Sequence, residues 1–180
     1  MDALSFKKYI TTLLKPYGFR RTGKTWGMVN DGLLTVVTID KNPYCNGFFV
    51  YCGAKMTTES YAAFPHAKEQ DVWDFFIFPA DPEYKPEAYK NQLHGLPKGD
   101  PGHPWIVRQY IDLSLFSDEE IDEAFRHNMT VRLRPMLDVD LLKSHVSQDD
   151  FLIKHAPNPS RLLLYGVPIE TIKALNPRAI

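Results

Sequence analysis

Leu13 to Met56 reads LLKPYGFRRTGKTWGMVNDGLLTVVTIDKNPYCNGFFVYCGAKM, and the order of elements inside this stretch decides the fold. It reads as the end of an amphipathic helix, a tight glycine turn and then three strands in a meander. Upstream, Phe6, Ile10, Leu13 and Leu14 recur at helical spacing and form one apolar face. Asp2 is placed to cap that helix. Pro16 lacks the N–H that would bond back to Thr12, so the helix ends there, and Gly18 suits a left-handed terminating residue. Lys24–Val29 reads as a short strand, Asn30-Asp31-Gly32 as a hairpin turn and Leu33–Asp40 as a β-branched central strand. Lys41–Gly47 is a loop punctuated by Asn42-Pro43. Phe48–Met56 alternates with a period of two: Phe48, Val50, Cys52, Ala54 and Met56 face one way, and Phe49, Tyr51, Gly53 and Lys55 the other. Short turns between sequential strands make the pairing antiparallel.

Further along, Asp71–Phe78 reads as a fourth strand. Pro79–Pro104 is a proline-rich loop of a length that compact domains reserve for function or disorder. Trp105–Leu115 is a fifth strand. Ser117-x-x-Glu120 is a capping box, followed by the helical stripe Ile121, Phe125, Met129 and Leu133, which Pro135 ends or kinks. Asp138 caps a second helical piece carrying Leu141, Leu142 and Val146, and further short helices follow to Leu175. Strands in a run and helices in a run argue for an α+β domain. The expected architecture is an antiparallel sheet of about five strands in meander order, with the N-terminal helix and the C-terminal helices packed on it. One such domain accounts for residues 1–180, with 147–180 as a helical C-terminal extension.

Composition narrows the function classes. The 180 residues are 44% hydrophobic and 24% charged, the proportions of a globular chain, and the net charge of −1 gives no global basic field. No run approaches the ~18 apolar residues of a membrane span, and the N-terminal apolar run is too short for a signal peptide. A cytoplasmic protein is the expectation. The two cysteines, Cys45 and Cys52, make neither a disulfide framework nor a Cys-x-x-Cys pair. Aromatic content of 13% and 14 prolines point to sheet and stiff loops.

Gly18-Phe19-Arg20-Arg21-Thr22-Gly23-Lys24-Thr25 matches the phosphate-binding pattern G-x-x-x-x-G-K-T letter for letter. That pattern works when a strand precedes it and a helix follows, so that free N–H groups at the helix start face the phosphates. Here a helix precedes and a strand follows, and the string reads as a turn with Arg20, Arg21 and Lys24 in solvent. No other nucleophile elbow, metalloprotease motif or cofactor fingerprint is present, and no cofactor is expected. His94 and His103 with Asp100 between them would need a third His or Cys to hold a metal, and none is near, so no metal is expected. Arg20, Arg21 and Lys24 beside Phe19 and Trp26 form a small basic-aromatic patch of the kind single-stranded nucleic acid uses, but the balanced charge speaks against a nucleic-acid partner. Asp118, Glu119 and Glu120 suit the positive end of the helix they open.

The string Leu14-Lys15-Pro16-x-Gly18-Phe19-Arg20-Arg21-x-Gly23-Lys24-x-Trp26 resembles the opening of the bacterial family called domain of unknown function 4304. Val37–Lys41, the strand Phe48–Gly53 and Arg134-Pro135-Met136-Leu137 are similar to later parts of it. The resemblance covers residues 1–140 and implies a turn at the glycine-lysine region. It carries over no catalytic residue. The resulting expectation is a non-enzymatic binding or protein-interaction domain with another protein as partner. The alternative is a small-molecule enzyme with a cleft under residues 79–104, served by His94, Asp100 and His103. Trp105, Arg20, Arg21 and Trp26 complete the candidate ligand or partner contacts.

Overall fold

A computed structural model describes residues 1–79 and 107–176. Helix α1 (Ala3–Leu14) begins where the Asp2 carboxylate accepts the Ser5 amide at 2.7 Å, and it buries Phe6, Ile10 and Leu14. A 3-10 turn over Lys15–Tyr17 carries Pro16 in its first turn. Gly18 then closes it at φ +88°, a conformation that costs a side-chain-bearing residue 1–2 kcal/mol or so.

Strands β1 (Arg20–Thr22), β2 (Thr25–Asn30), β3 (Leu33–Lys41), β4 (Gly47–Met56) and β5 (Val72–Phe75) form an antiparallel meander in chain order. β3 and β4 pair over nine residues, from Leu33↔Met56 to Lys41↔Phe48. A further strand, β8 (Tyr110–Asp112), pairs with the start of β4 on the edge that β5 occupies further along. Two short strands, β6 (Phe78–Pro79) and β7 (Val107–Arg108), pair with each other as a separate ribbon.

The two faces of the sheet carry different cores. Leu33, Val37, Ile39, Val50, Cys52 and Ala54 face a large apolar cluster built with α1 and the C-terminal helices. Those helices are α2 (Asp118–Asn128), α3 (Val139–Gln148), α4 (Asp150–His155) and α5 (Ile169–Leu175). Leu152, Leu162, Tyr165 and Ile172 belong to the same cluster as Phe6 and Phe125, so residues beyond 147 share the core with the rest. The opposite face buries Leu34, Val36 and Tyr51 beneath residues 57–71, which cross it as a strap bearing Phe64 and Ala67.

The strap lies close enough to demand glycine beneath it. A Cβ on Gly27 would sit 2.4 Å from the Phe64 ring, and one on Gly53 would sit 2.4 Å from the Ala67 carbonyl oxygen. The strap is then pinned by polar bonds. Ala67 N–H donates to Thr38 Oγ1 (3.1 Å), and Phe64 N–H donates to Thr22 Oγ1 (2.9 Å).

Several elements depart from the sequence reading. β1 precedes the expected first strand and closes on it through Gly23 at φ +61°. The expected strand over 71–78 breaks at Phe76–Ile77. The buried Asn128 side chain takes the Ile77 backbone, accepting its N–H at 2.9 Å and donating to its carbonyl at 2.8 Å. The expected strand over 105–115 is interrupted at Gln109 and stops at Asp112, whose carboxylate accepts both the Ser114 N–H (3.0 Å) and hydroxyl (2.6 Å). Leu115 is consequently exposed. The capping box at Ser117 and Glu120 forms as read, and the stripe Ile121, Phe125, Met129 and Leu133 is buried. That helix ends in a π-helical turn over Met129–Leu133 and a 3-10 turn containing Pro135.

The Gly53 contact is with backbone, which cannot swing aside. Gly53→Ala is therefore expected to destabilise by about 1–3 kcal/mol in urea unfolding, the usual cost of overpacking.

Candidate functional site

The loop between β3 and β4 carries the most exposed aromatic side chain described. Asn42 is buried, and its side-chain oxygen accepts the Tyr44 amide at 3.0 Å while its own N–H donates to Gly47 O at 2.9 Å. This Asx turn, stiffened by Pro43, holds Tyr44 outward with 94% of its surface exposed. Tyr44 borders an apolar groove of about 570 Å³ lined also by Pro43, Cys45, Phe49 and Tyr110. From the groove an aromatic row runs along the strap face. Phe49 meets Tyr110 edge-on at 5.7 Å and stacks on Tyr51 at 6.2 Å. Tyr51 meets Trp73 at 6.1 Å, and Phe151 from α4 packs edge-on to both Trp73 and Phe75. The Lys68 ammonium caps the row, 4.0 Å from the centre of the Tyr51 ring. Register explains the row: Phe49 faces Tyr110, Tyr51 faces Phe75, and all point to one side of the sheet.

The glycine-lysine string has none of a phosphate cradle's geometry. Thr25 opens a strand, and Lys24 stays exposed to solvent as read, its Nζ bonding Asp40 Oδ1 at 2.5 Å. Asp40 Oδ2 pairs with His66 Nε2 at 2.9 Å. Burial works against the Asp40 charge, but the bonds from Lys24 and His66 overcome it and hold the carboxyl below its ordinary range. The Lys68 amide donates to His66 Nδ1 at 3.1 Å, so that nitrogen carries the lone pair and Nε2 carries the hydrogen. Nδ1 is thus engaged within the strap and Nε2 by β3, and the imidazole has no nitrogen left for general base work.

The basic-aromatic patch is divided by the sheet. Arg20 points to the strap face, its guanidinium 5.6 Å from the Phe64 ring centre. Arg21 points to the other, 5.0 Å from the Trp26 ring centre, and also donates to Gly23 O at 2.9 Å. Trp26 itself is a core residue, 1% exposed, with its indole N–H donating to Thr11 Oγ1 at 3.0 Å. Its ring offers no face to a ligand. His94, Asp100, His103 and Trp105 lie outside the described residues.

A second polar cluster sits under the helical face. Asp74 on β5 accepts Arg132 Nη1 at 2.5 Å and the Phe75 amide at 2.7 Å. Burial pushes the Asp74 carboxyl up, and Arg132 pulls it back. Burial also opposes the Arg132 charge, but Asp74 beside it more than offsets this and holds the guanidinium protonated. Asp74, His145 and Asp149 bring one ligand-type atom each within 4.8 Å of one another. The set does not suit a metal ion, because both Asp74 oxygens are engaged and one of them already holds a cation.

Sequence reasoning passed over Tyr44, Phe49 and Tyr110 as a group. Asn42-Pro43 was legible as a rigid turn, and an aromatic residue directly after it is the signal that could have singled out Tyr44. Compared with models of protein families, with curated proteins and with solved structures, the chain matches none.

Removing one partner of a buried ion pair strands the other. Arg132→Met is expected to cost about 3–5 kcal/mol in urea unfolding, and Asp74→Asn added to it recovers most of that loss. Asp40 has a depressed folded-state pKa, so its contribution is present above the unfolded value and is lost as pH falls through the folded one. Asp40→Asn should therefore lose less stability than wild type as pH falls below about 4, followed by urea unfolding at each pH.

Proposed function

We propose that this chain is a non-enzymatic binding or protein-interaction domain, and that its partner protein docks an apolar segment in the groove at Tyr44. The observation that carries the reading is the Tyr44 ring, 94% exposed on a turn locked by Asn42 and Pro43. Large aromatics on rigid supports are the typical anchors of protein interfaces, since they bury much apolar area and lose little freedom on docking. Phe49 and Tyr110 supply the apolar walls of the groove. The described acids and histidine bonded on the strap face serve the fold, which favours binding over catalysis. The overall charge of −1 disfavours a nucleic-acid partner. The resemblance of Leu14–Trp26 to the domain of unknown function 4304 family belongs to the same proposal, and with it a bacterial, cytoplasmic setting.

Tyr44 makes little contact in the fold, so Tyr44→Ala should change unfolding free energy by less than about 0.5 kcal/mol. Wild-type and variant chains immobilised side by side and exposed to host extract should differ. A partner protein held by wild type should be retained at least about tenfold less well by Tyr44→Ala. Equal retention of the same proteins by both, or retention of none by wild type, would overturn the reading.

A further inference from the structure

A second groove lies elsewhere, at the end of the sheet beside the β2–β3 turn. It is an open groove of about 920 Å³, bordered by the strap, by α3 and by the 3-10 segment Pro159–Tyr165. That volume is in the range of small-molecule sites. Arg161 is the best-fixed group in it. Its Nε donates to Asp71 Oδ1 at 2.5 Å and its Nη2 to Met56 O at 3.2 Å. Asp71 is itself held: the Tyr165 hydroxyl donates to its other oxygen at 2.8 Å and accepts the Met56 amide at 2.9 Å. Burial, with Asp71 next in importance, keeps the Tyr165 phenol protonated well above its usual range. The Asp71 side chain is 6% exposed and that of Arg161 39%, so the carboxylate lies inside and the guanidinium opens outward.

A staple between strap and 3-10 segment would account for the Nε and Nη2 bonds. It does not account for Lys55 from β4 and Lys143 from α3, which border the same groove. Their nearest carboxylates, Glu59 at 3.8 Å and Asp140 at 4.0 Å, are at the limit of ion pairing. The guanidinium is a pre-organised fork whose remaining N–H groups suit a carboxylate or another small oxyanion. Asp31, Glu59 and Glu69 border the groove as well. They repel a multiply charged anion and attract a cationic group.

We propose that this groove binds a small zwitterion of the amino-acid type, its carboxylate on the free edge of Arg161 and its ammonium towards the acids of the rim. Lys55 and Lys143 add positive charge to the groove. The site is independent of the Tyr44 groove, and Tyr44→Ala leaves it intact.

The test is a titration of the full ¹⁵N-labelled chain, followed by NMR at the Arg161 Nε–H and at Thr57 and Lys143. The probes are the standard L-amino acids one at a time, and inorganic phosphate. At least one amino acid should give saturable shifts at those positions at millimolar concentration or below, and phosphate should not. Arg161→Lys keeps the charge but loses the fork and should weaken binding about tenfold. Should that variant loosen the fold by disturbing Asp71, Lys143→Glu leaves the staple untouched and should also weaken binding severalfold. Saturation by phosphate alone, no saturable shift with any amino acid, or undiminished affinity in Lys143→Glu would overturn the proposal.

Discussion

Everything in this molecule hangs on the ladder between β3 and β4 being buried from both sides. Leu33, Val37 and Ile39 look into the helical core while Leu34 and Val36 look into the strap. Side chains alternate along a strand, so a slip of one residue would exchange the two sets. The two coverings differ in thickness. Helices need whole side chains beneath them, whereas the strap is a single chain that comes near enough to touch the sheet backbone. Gly27 and Gly53 are the price of that closeness: each leaves a gap that another residue's atoms fill. A conventional two-layer α+β domain would leave the second face wet. This one gains a small additional core from fifteen residues that have little regular structure of their own.

The regular part of the design was legible in the sequence because it is local. Asp2 before α1, Asn30-Asp31-Gly32 between β2 and β3, the alternation of Phe48–Met56 and the Ser117–Glu120 capping box each act within a few residues. What escaped is set by distant groups. Nothing near Ile77 announces that Asn128, 51 positions away, will take its backbone and split a strand. Nothing near Leu115 shows that the sheet ends at Asp112. The strap has no such local signal, because its apolar residues follow neither helical nor strand spacing. Among the site residues, Trp26 carried a signal of the wrong kind. An aromatic beside arginines reads as a surface, and only the Thr11 bond shows the ring turned inward. Tyr44 was missed for the complementary reason, since a lone exposed tyrosine has no pattern to fit.

The charged residues are used economically and at long range. Asp71 joins Arg161 across 90 positions, Asp74 joins Arg132 across 58, and Tyr9 joins Asp122 across 113. Each bond ties a helical element to the strap, to the sheet or to α1, and apolar contact alone would not distinguish such partners. A polar group taken out of water must find its own mate, so a helix docked one turn out of place would leave several stranded. The apolar core supplies attraction without direction, and these pairs supply direction.

The ribbon of β6 and β7 has one more implication. Phe78 pairs with Arg108 and Pro79 with Val107, so the chain on either side of residues 80–106 is held side by side by the body of the protein. A segment whose two ends are already clasped can change length at small thermodynamic expense, since doubling a closed loop adds only about 0.6 kcal/mol of entropy. An insertion or deletion between those clasped ends would therefore cost the fold less than one elsewhere. The sheet and its two coverings would register the change hardly at all.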